Sequence, residues 1–364
     1  MSIRDAIYCD LEGPISGQDH ALEVCRRFVQ NGDRLFAVLS RYDDILALRG
    51  KEGYEPGDTL KLLIPFFAEA GVTERDLLQI SAEAGLVPGI VELFNELHKE
   101  GCLIWIISTS YKPHAFSIAR RVGVPFQRVF CTDPVGFPLD NPWLYFQRQI
   151  TAENLGIISR IREKAVMFYR EDLESGVNDA VIQELFDPFF RELLPKTEFG
   201  QMMSKIKVMG GRRKVGALEA AVRKNTYERC ILEKQGFWTD EDGYLKDAFA
   251  VVDSITDFRM AQAVEAAGGV VVAWNGNRYV IPYVTCGVAA VNAGAMKPLF
   301  QAWREGGRTA VREIVEGIPE PRDQESGPYY HWLAGETSEV HHEVLAIHKR
   351  LRTTCRGMEA AKLG

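Results

Sequence analysis

Three short apolar runs in this chain each stop at oxygen-bearing side chains. Ile7-Tyr8-Cys9 leads into Asp10-Leu11-Glu12-Gly13-Pro14, and Leu103-Ile104-Trp105-Ile106-Ile107 into Ser108-Thr109-Ser110. Phe249-Ala250-Val251-Val252 leads into Asp253-Ser254-Ile255-Thr256-Asp257. Runs this short and this apolar read as strands covered on both faces, the kind that parallel sheets contain. In open α/β sheets, ligands bind outside the carboxyl ends of the strands. The three ends therefore predict one site built from distant parts of the chain. Carboxylates gathered at one point repel one another unless a cation lies among them, and an all-oxygen donor set suits Mg²⁺.

Composition narrows the function classes. At 364 residues the chain has room for two or three domains. No stretch approaches the ~20 apolar residues of a membrane span, so no membrane partner is expected. Met1–Asp5 runs straight into the first strand, which leaves no room for a signal peptide. The seven cysteines are scattered, without a Cys-x-x-Cys pair. They signal neither a disulfide framework nor a zinc knuckle, and a cytoplasmic compartment is expected. A net charge of −7 argues against a nucleic-acid partner. The Lys349-Arg350-Leu351-Arg352 run reads as a solvated helix end, where cations suit the helix dipole.

The strands expected in the core are 5–9, 103–107, 128–132, 249–252 and 270–274, together with 206–209. Residues 19–99 read as helical. Pro65 should kink or end one helix there, and Thr73-Glu74-Arg75-Asp76 should start another. Residues 138–205 read as a second, mostly helical insertion and 293–364 as a helical extension. The core then comprises 1–18, 100–137 and 206–292. Asn275-Gly276-Asn277 is a tight-turn signal, most simply a hairpin leading into Tyr279–Tyr283.

The order of these signals resembles the haloacid dehalogenase-like (HAD) superfamily of phosphatases and phosphotransferases. Its first motif, a strand followed by Asp-x-Asp-Gly-Thr, is matched by Asp10-Leu11-Glu12-Gly13-Pro14. Its second, a strand ending in Ser or Thr, is matched by Ser108. Its third, a lysine opening a helix, is matched by Lys214 in Gly210-Gly211-Arg212-Arg213-Lys214, with Lys207, Lys224 and Arg213 as competitors. Its fourth, an acidic strand end, is matched by Asp253 and Asp257. The chain departs from the pattern at Glu12 (usually Asp), Pro14 (usually Thr) and Val252 (usually Gly). The first motif also resembles an archaeal subgroup, some members of which carry names linked to energy-converting hydrogenase clusters.

The resemblance implies a doubly wound, mainly parallel Rossmann-like core with a helical cap. It implies an Mg²⁺-dependent phosphatase acting on a small phosphorylated metabolite through an aspartyl-phosphate. Asp10 would be the nucleophile and Glu12 the general acid and base. Mg²⁺ would sit on the Asp10 carboxylate, the Glu12 backbone carbonyl and Asp253, with Asp257 close by. Ser108 and Lys214 would hold phosphoryl oxygens, with Thr109 and Ser110 beside them as substrate contacts. A non-catalytic binding or assembly subunit and a phosphotransferase or mutase are the alternatives, and homo-oligomerisation stays open.

Weaker candidates complete the reading. Asp19 and His20 could touch substrate where the cap begins, whereas His114 reads as a helix-surface histidine. His341 and His348 lie two turns apart, too wide for one zinc. Cys9 reads as a small buried strand residue.

Overall fold

A computed structural model describes residues 4–50, 54–133, 150–233, 244–321 and 323–361. At its centre lies a seven-stranded sheet. The strands are β1 (Ala6–Cys9), β2 (Leu103–Tyr111), β3 (Val129–Thr132), β4 (Phe249–Val252), β5 (Val270–Trp274), β6 (Cys286–Ala289) and β7 (Tyr329–Trp332). Their order is β3-β2-β1-β4-β5-β6-β7. All neighbours run parallel except β6 and β7, which are antiparallel at one edge. The chain steps outward from β1 to β3, then crosses back to lay β4 on the other side of β1. This is a doubly wound α/β sheet, as expected, and its topological switch point lies between β1 and β4.

The helices used below are, in chain order, α1 (His20–Phe28), α2 (Gly32–Leu48), α3 (Thr59–Glu69), α4 (Glu74–Glu83), α5 (Ile90–Lys99) and α6 (Lys112–Arg121). They continue with α7 (Ala152–Met167), α8 (Asp179–Asp187), α9 (Glu198–Met203), α10 (Arg212–Glu233), α11 (Phe258–Ala266), α12 (Lys297–Gly317) and α13 (Ser338–Arg356). Strand alternation splits the sheet residues between two apolar layers. Ile7, Cys9, Phe249, Val251, Val270 and Val272 meet α5, α6 and α12. Tyr8, Ala250, Val252, Val271 and Ala273 meet α10, α11 and Val344 of α13. A third layer lies away from the sheet: residues of α1 to α4 share it with Ile158, Ala165, Ile182, Phe186 and Phe199 of α7 to α9. The helical segments on either side of β2 and β3 thus bury their apolar faces against each other. Each fully buried large side chain there contributes about 1.5–3 kcal/mol.

Several elements differ from expectation. Residues 206–209 are not a sheet strand; Lys207 makes one isolated bridge to Asp133, and the apolar Ile206 and Val208 are buried with the helical layer instead. Asn275-Gly276-Asn277 does not turn a hairpin, because β5 and β6 are parallel and Ile281–Tyr283 forms a 3₁₀ turn. Strands β6 and β7 were not anticipated. Their runs are short and β6 contains Gly287, where a Cβ would meet the His348 imidazole. Helix α3 continues through Pro65. One lost hydrogen bond is offset by the burial of Leu63, Ile64, Phe66 and Phe67. The Thr73 start is present as a full capping box with Asp76. Residues 138–149 of the second expected insertion lie outside the described residues.

Candidate active site

β1 ends where Gly13 reverses the chain. Gly13 N donates to Ser16 O at 2.7 Å, with φ at 116°, a conformation that glycine adopts without strain. A Cβ at Gly13 would land on the Asp253 carboxylate, so the turn lies directly against the end of β4. Asp10 N donates to Val251 O at 2.9 Å, which continues the β1–β4 ladder to the first acid.

Lys214 is in the first turn of α10. It is reached through Gly210-Gly211, where Gly211 N donates to Thr256 O at 3.1 Å and Gly210 leaves no room for a Cβ against the Pro56 carbonyl. Fully buried, Lys214 donates from Nζ to Asp10 Oδ1 at 2.9 Å, to Asp257 Oδ1 at 2.5 Å and to Thr256 Oγ1 at 3.3 Å. The competing residues lie elsewhere: Lys207 and Lys224 are exposed, and Arg213 donates to Val208 O. Asp257 is fixed from its other side, where Oδ2 accepts from the backbone N–H of Asp253 and Ser254.

Asp253 has partners that the sequence reading missed. Its Oδ2 accepts from Arg352 Nη1 at 2.5 Å and Arg356 Nη1 at 2.6 Å, both from the end of α13. Arg352, read as part of a solvated helix end, is 2% exposed. The run looks solvent-facing by composition, but docking of α13 on the sheet buries it. His348 anchors that docking, its Nδ1 accepting from Gly276 N at 3.0 Å. His341 faces the Leu333 carbonyl instead. The Asn275–Asn277 turn serves the site as a brace, with Asn277 N donating to Asp253 O at 3.0 Å.

Glu12 stands outside the Asp10, Asp253 and Asp257 cluster, with Asp19 as its acidic neighbour. Its Oε1 accepts from the Ser110 hydroxyl and from His20 N, the latter at 3.2 Å. His114 Nε2 stands 3.9 Å from the same oxygen. His114 is therefore not on a helix surface. It is fully buried, stacked on His20 with centroids 4.2 Å apart, and joined to it through Ser81 Oγ, 3.1 Å from each ring. Burial holds both imidazoles neutral: His20 is lowered to about 4 and His114 falls well below the ordinary histidine range. The stacked faces, His20 Nε2 and His114 Nδ1 are used internally, His20 Nδ1 and His114 Nε2 are buried without a hydrogen-bond partner, and neither imidazole lines the cleft.

β2 runs on to Tyr111 instead of stopping at Ile107, and its pairing with β3 shifts register between Ile107 and Tyr111. Such irregularities re-aim side chains at strand ends. Ser108 and Thr109 line the cleft, while Ser110 points to Glu12 and is absent from the cleft wall. The Thr109 hydroxyl is buried without a hydrogen-bond partner. The open cleft also includes Asp10, Glu12, Asp19, Arg352 and Arg356, and is walled on the α2 and α3 side by Phe36, Ser40, Asp43, Asp44, Thr59 and Leu60. Asp19 caps α1, accepting from Leu22 N at 2.9 Å.

Carboxylate oxygens of Asp10, Asp253 and Asp257 all lie within 4.8 Å of one another, so they form a candidate metal centre; the Glu12 side chain is not part of it. Asp253 Oδ1 is buried without a partner, and a cation would satisfy it. Burial and neighbouring acids raise the carboxyl pKa values here. Burial, and then Asp257, pushes Asp10 up to about 7, and burial with Asp19 pushes Glu12 up to about 8. Burial alone would lower Lys214, but Asp10 and Asp257 hold it above the ordinary lysine range.

No protein-family model matches the chain, and no curated protein matches it. Among solved structures, the chain is similar to gene product AF1437 from Archaeoglobus fulgidus, with a TM-score of 0.71 and 28% identity. That match covers 99% of this chain and 98% of the other. A phospho-aspartyl intermediate analogue of phosphoserine phosphatase is matched far more distantly, with a TM-score of 0.35 and 12% identity over 74% of this chain and 86% of that one. Among the described residues, no helix is long and apolar enough to cross a membrane.

Proposed function

We propose that this protein is an Mg²⁺-dependent phosphohydrolase of the HAD type that cleaves a small phosphorylated metabolite. One observation carries the reading: Lys214 is clamped, fully buried, between Asp10 and Asp257 at the switch point of the sheet, beside an unpartnered Asp253 oxygen. Asp10, Asp253 and Asp257 would hold Mg²⁺, which supplies Lewis-acid neutralisation of the phosphoryl oxygens.

Asp10 Oδ1 is held by Lys214, which leaves Oδ2 to attack phosphorus. The bond to the leaving oxygen breaks as the Asp10–phosphorus bond forms, giving an aspartyl-phosphate. Glu12, kept protonated by burial up to about pH 8, gives its proton to the leaving alcohol. It then takes a proton from the water whose oxygen attacks phosphorus, which breaks the Asp10–phosphorus bond and releases inorganic phosphate and the free carboxylate. Ser110 and His20 N hold Glu12 Oε1, so Oε2 is the oxygen left for this exchange. Ser108 and Thr109 contribute hydroxyls at the cleft floor. The extra methylene of Glu12, relative to the family's aspartate, is accommodated by these contacts.

The test is release of inorganic phosphate from p-nitrophenyl phosphate and a panel of phosphometabolites, with Mg²⁺ and with EDTA. Turnover that requires Mg²⁺ and falls by several orders of magnitude in Asp10→Asn, with the fold intact, supports the reading. Turnover that survives Asp10→Asn sinks it.

A further inference from the structure

Two arginines of α13 reach Asp253, and their roles differ. Arg352 is spent on the protein. Besides Asp253 Oδ2, its Nη1 meets the Asp253 carbonyl at 3.2 Å and the Asn275 carbonyl at 3.4 Å, and its Nε donates to the Ala361 carbonyl at 3.3 Å. It fastens α13 to the ends of β4 and β5. Arg356, one turn further on, makes one hydrogen bond among the described residues, from Nη1 to Asp253 Oδ2. Its Nε is buried with no acceptor, on a side chain only 5% exposed.

A buried donor on a charged group without an acceptor is costly. The missing acceptor is not a metal ion, since a guanidinium repels one. An anionic oxygen would satisfy it, and Arg356 borders the cleft together with Asp10, Ser108 and Thr109. The Thr109 hydroxyl in the same wall also lacks a partner. A guanidinium presents its donors as a planar fork that fits two oxygens of a phosphate. Arg356 is also held from a rigid element: α13 is seated by Leu351, which is fully buried, and by His348 against Gly276.

We propose that Arg356 is a phosphoryl-binding residue, donating from Nε and Nη2 to non-bridging oxygens of the group held over Asp10. This rests on the phosphohydrolase reading for the identity of the anion. It makes the C-terminal helix a wall of the site: Arg352 positions Asp253, and Arg356 contacts substrate.

The test measures binding, not turnover. Inorganic phosphate is titrated by calorimetry into the full chain with Mg²⁺, for wild type, R356M and R356K, and Mg²⁺ affinity is measured separately. R356M should weaken phosphate by roughly tenfold or more, R356K should recover part of the loss, and Mg²⁺ affinity should be preserved. Unchanged phosphate affinity in R356M overturns the inference, as does wild type that binds no phosphate. Parallel loss of Mg²⁺ and phosphate also overturns it, because a residue that only orients Asp253 would act that way. If R356M does not fold, the Arg356 Nε–H resonance of wild type decides: it shifts on phosphate addition, or the inference fails. The two readings separate cleanly. Arg356-dependent phosphate binding without turnover of any ester upholds this inference and removes the hydrolase. A working hydrolase whose R356M variant binds phosphate normally does the reverse.

Discussion

Replacing Lys214 by methionine keeps most of the side-chain volume and removes the ammonium that Asp10 and Asp257 share. Both carboxyls are buried, Asp257 fully, so the change leaves acids without a counter-charge. Breaking a buried pair from one side costs about 3–5 kcal/mol. At the usual unfolding entropy per residue, a chain of 364 residues converts that into a fall in Tm of roughly 4 to 7 °C. The loss has a pH signature. Lys214 has a folded pKa above its ordinary 10.5, so its contribution is present below 10.5 and disappears above its folded value. Asp10, with a folded pKa near 7, is the partner that becomes charged as pH rises. The deficit of Lys214→Met against wild type should therefore grow as pH rises through about 7, where Asp10 becomes charged, and persist up to about 10.5. Scanning calorimetry in EDTA across that range is the assay, with Asp257→Asn/Lys214→Met as the control that removes one orphaned charge and restores part of the stability. A deficit that is flat with pH, or absent, would refute the claim that Lys214 holds the acids by charge.

Three further outcomes follow from the same geometry. Glu12→Gln should slow turnover by about 10²–10⁴-fold for alkyl phosphates and much less for aryl phosphates, whose leaving groups need no proton; equal slowing across a leaving-group series removes Glu12 as the acid. Gly13→Ala should cost about 1–3 kcal/mol because it forces a Cβ at φ 116° onto the Asp253 carboxylate; it should also weaken Mg²⁺ binding by calorimetry, and a variant with unchanged Tm and affinity contradicts the close approach of the two strand ends. Asp44, buried on the α2 wall, is pushed up to about 8 by burial and then by Asp43. An acid with a raised folded pKa stabilises the fold less as pH rises from 3.8 towards 8, so Asp44→Asn should gain stability over wild type as pH goes from about 5 to 8.5; a gain that shrinks over that range contradicts it.

The parts of the site legible in sequence are those whose signal is local. An apolar run that stops at Asp10, Ser108 or Asp253 announces a strand end and its side chain within a few residues. Lys214 follows a Gly-Gly break that also lies within a few residues of it. The arginines were not legible for the opposite reason. Arg352 and Asp253 are 99 positions apart, and a basic run at a helix end has the same composition whether solvent or a sheet covers it. His114 was misread similarly, because its burial depends on α4 presenting Ser81 and on His20 stacking against it. Asn275-Gly276-Asn277 carries a hairpin's composition but ends a parallel strand. The positive φ of Asn275, 46°, lets the chain leave β5 sharply, and its side chain bonds Ala290 across to the end of β6.

The distribution of cations, more than their number, separates the roles of the two acids in the first motif. Lys214 bonds Asp10 and Asp257; Arg352 and Arg356 bond Asp253. No cation hydrogen-bonds Glu12, which is held by a hydroxyl and a backbone N–H beside a histidine that burial keeps neutral, with Asp19 and Arg356 acting on it through space. Both Asp10 and Glu12 are raised by burial, but a divalent cation among Asp10, Asp253 and Asp257 would act on Asp10 directly and on Glu12 only at a distance. Binding of such an ion therefore widens the gap between the two pKa values. It would leave Asp10 ionised and Glu12 protonated, the states the proposed nucleophile and general acid need. Two carboxyls whose environments push their pKa values apart are the arrangement that acid/base and nucleophilic chemistry at neutral pH requires. Here the separation comes from holding Glu12 Oε1 on Ser110 and His20 N, outside the Asp10–Asp253–Asp257 cluster, while Asp10 stays with the charges.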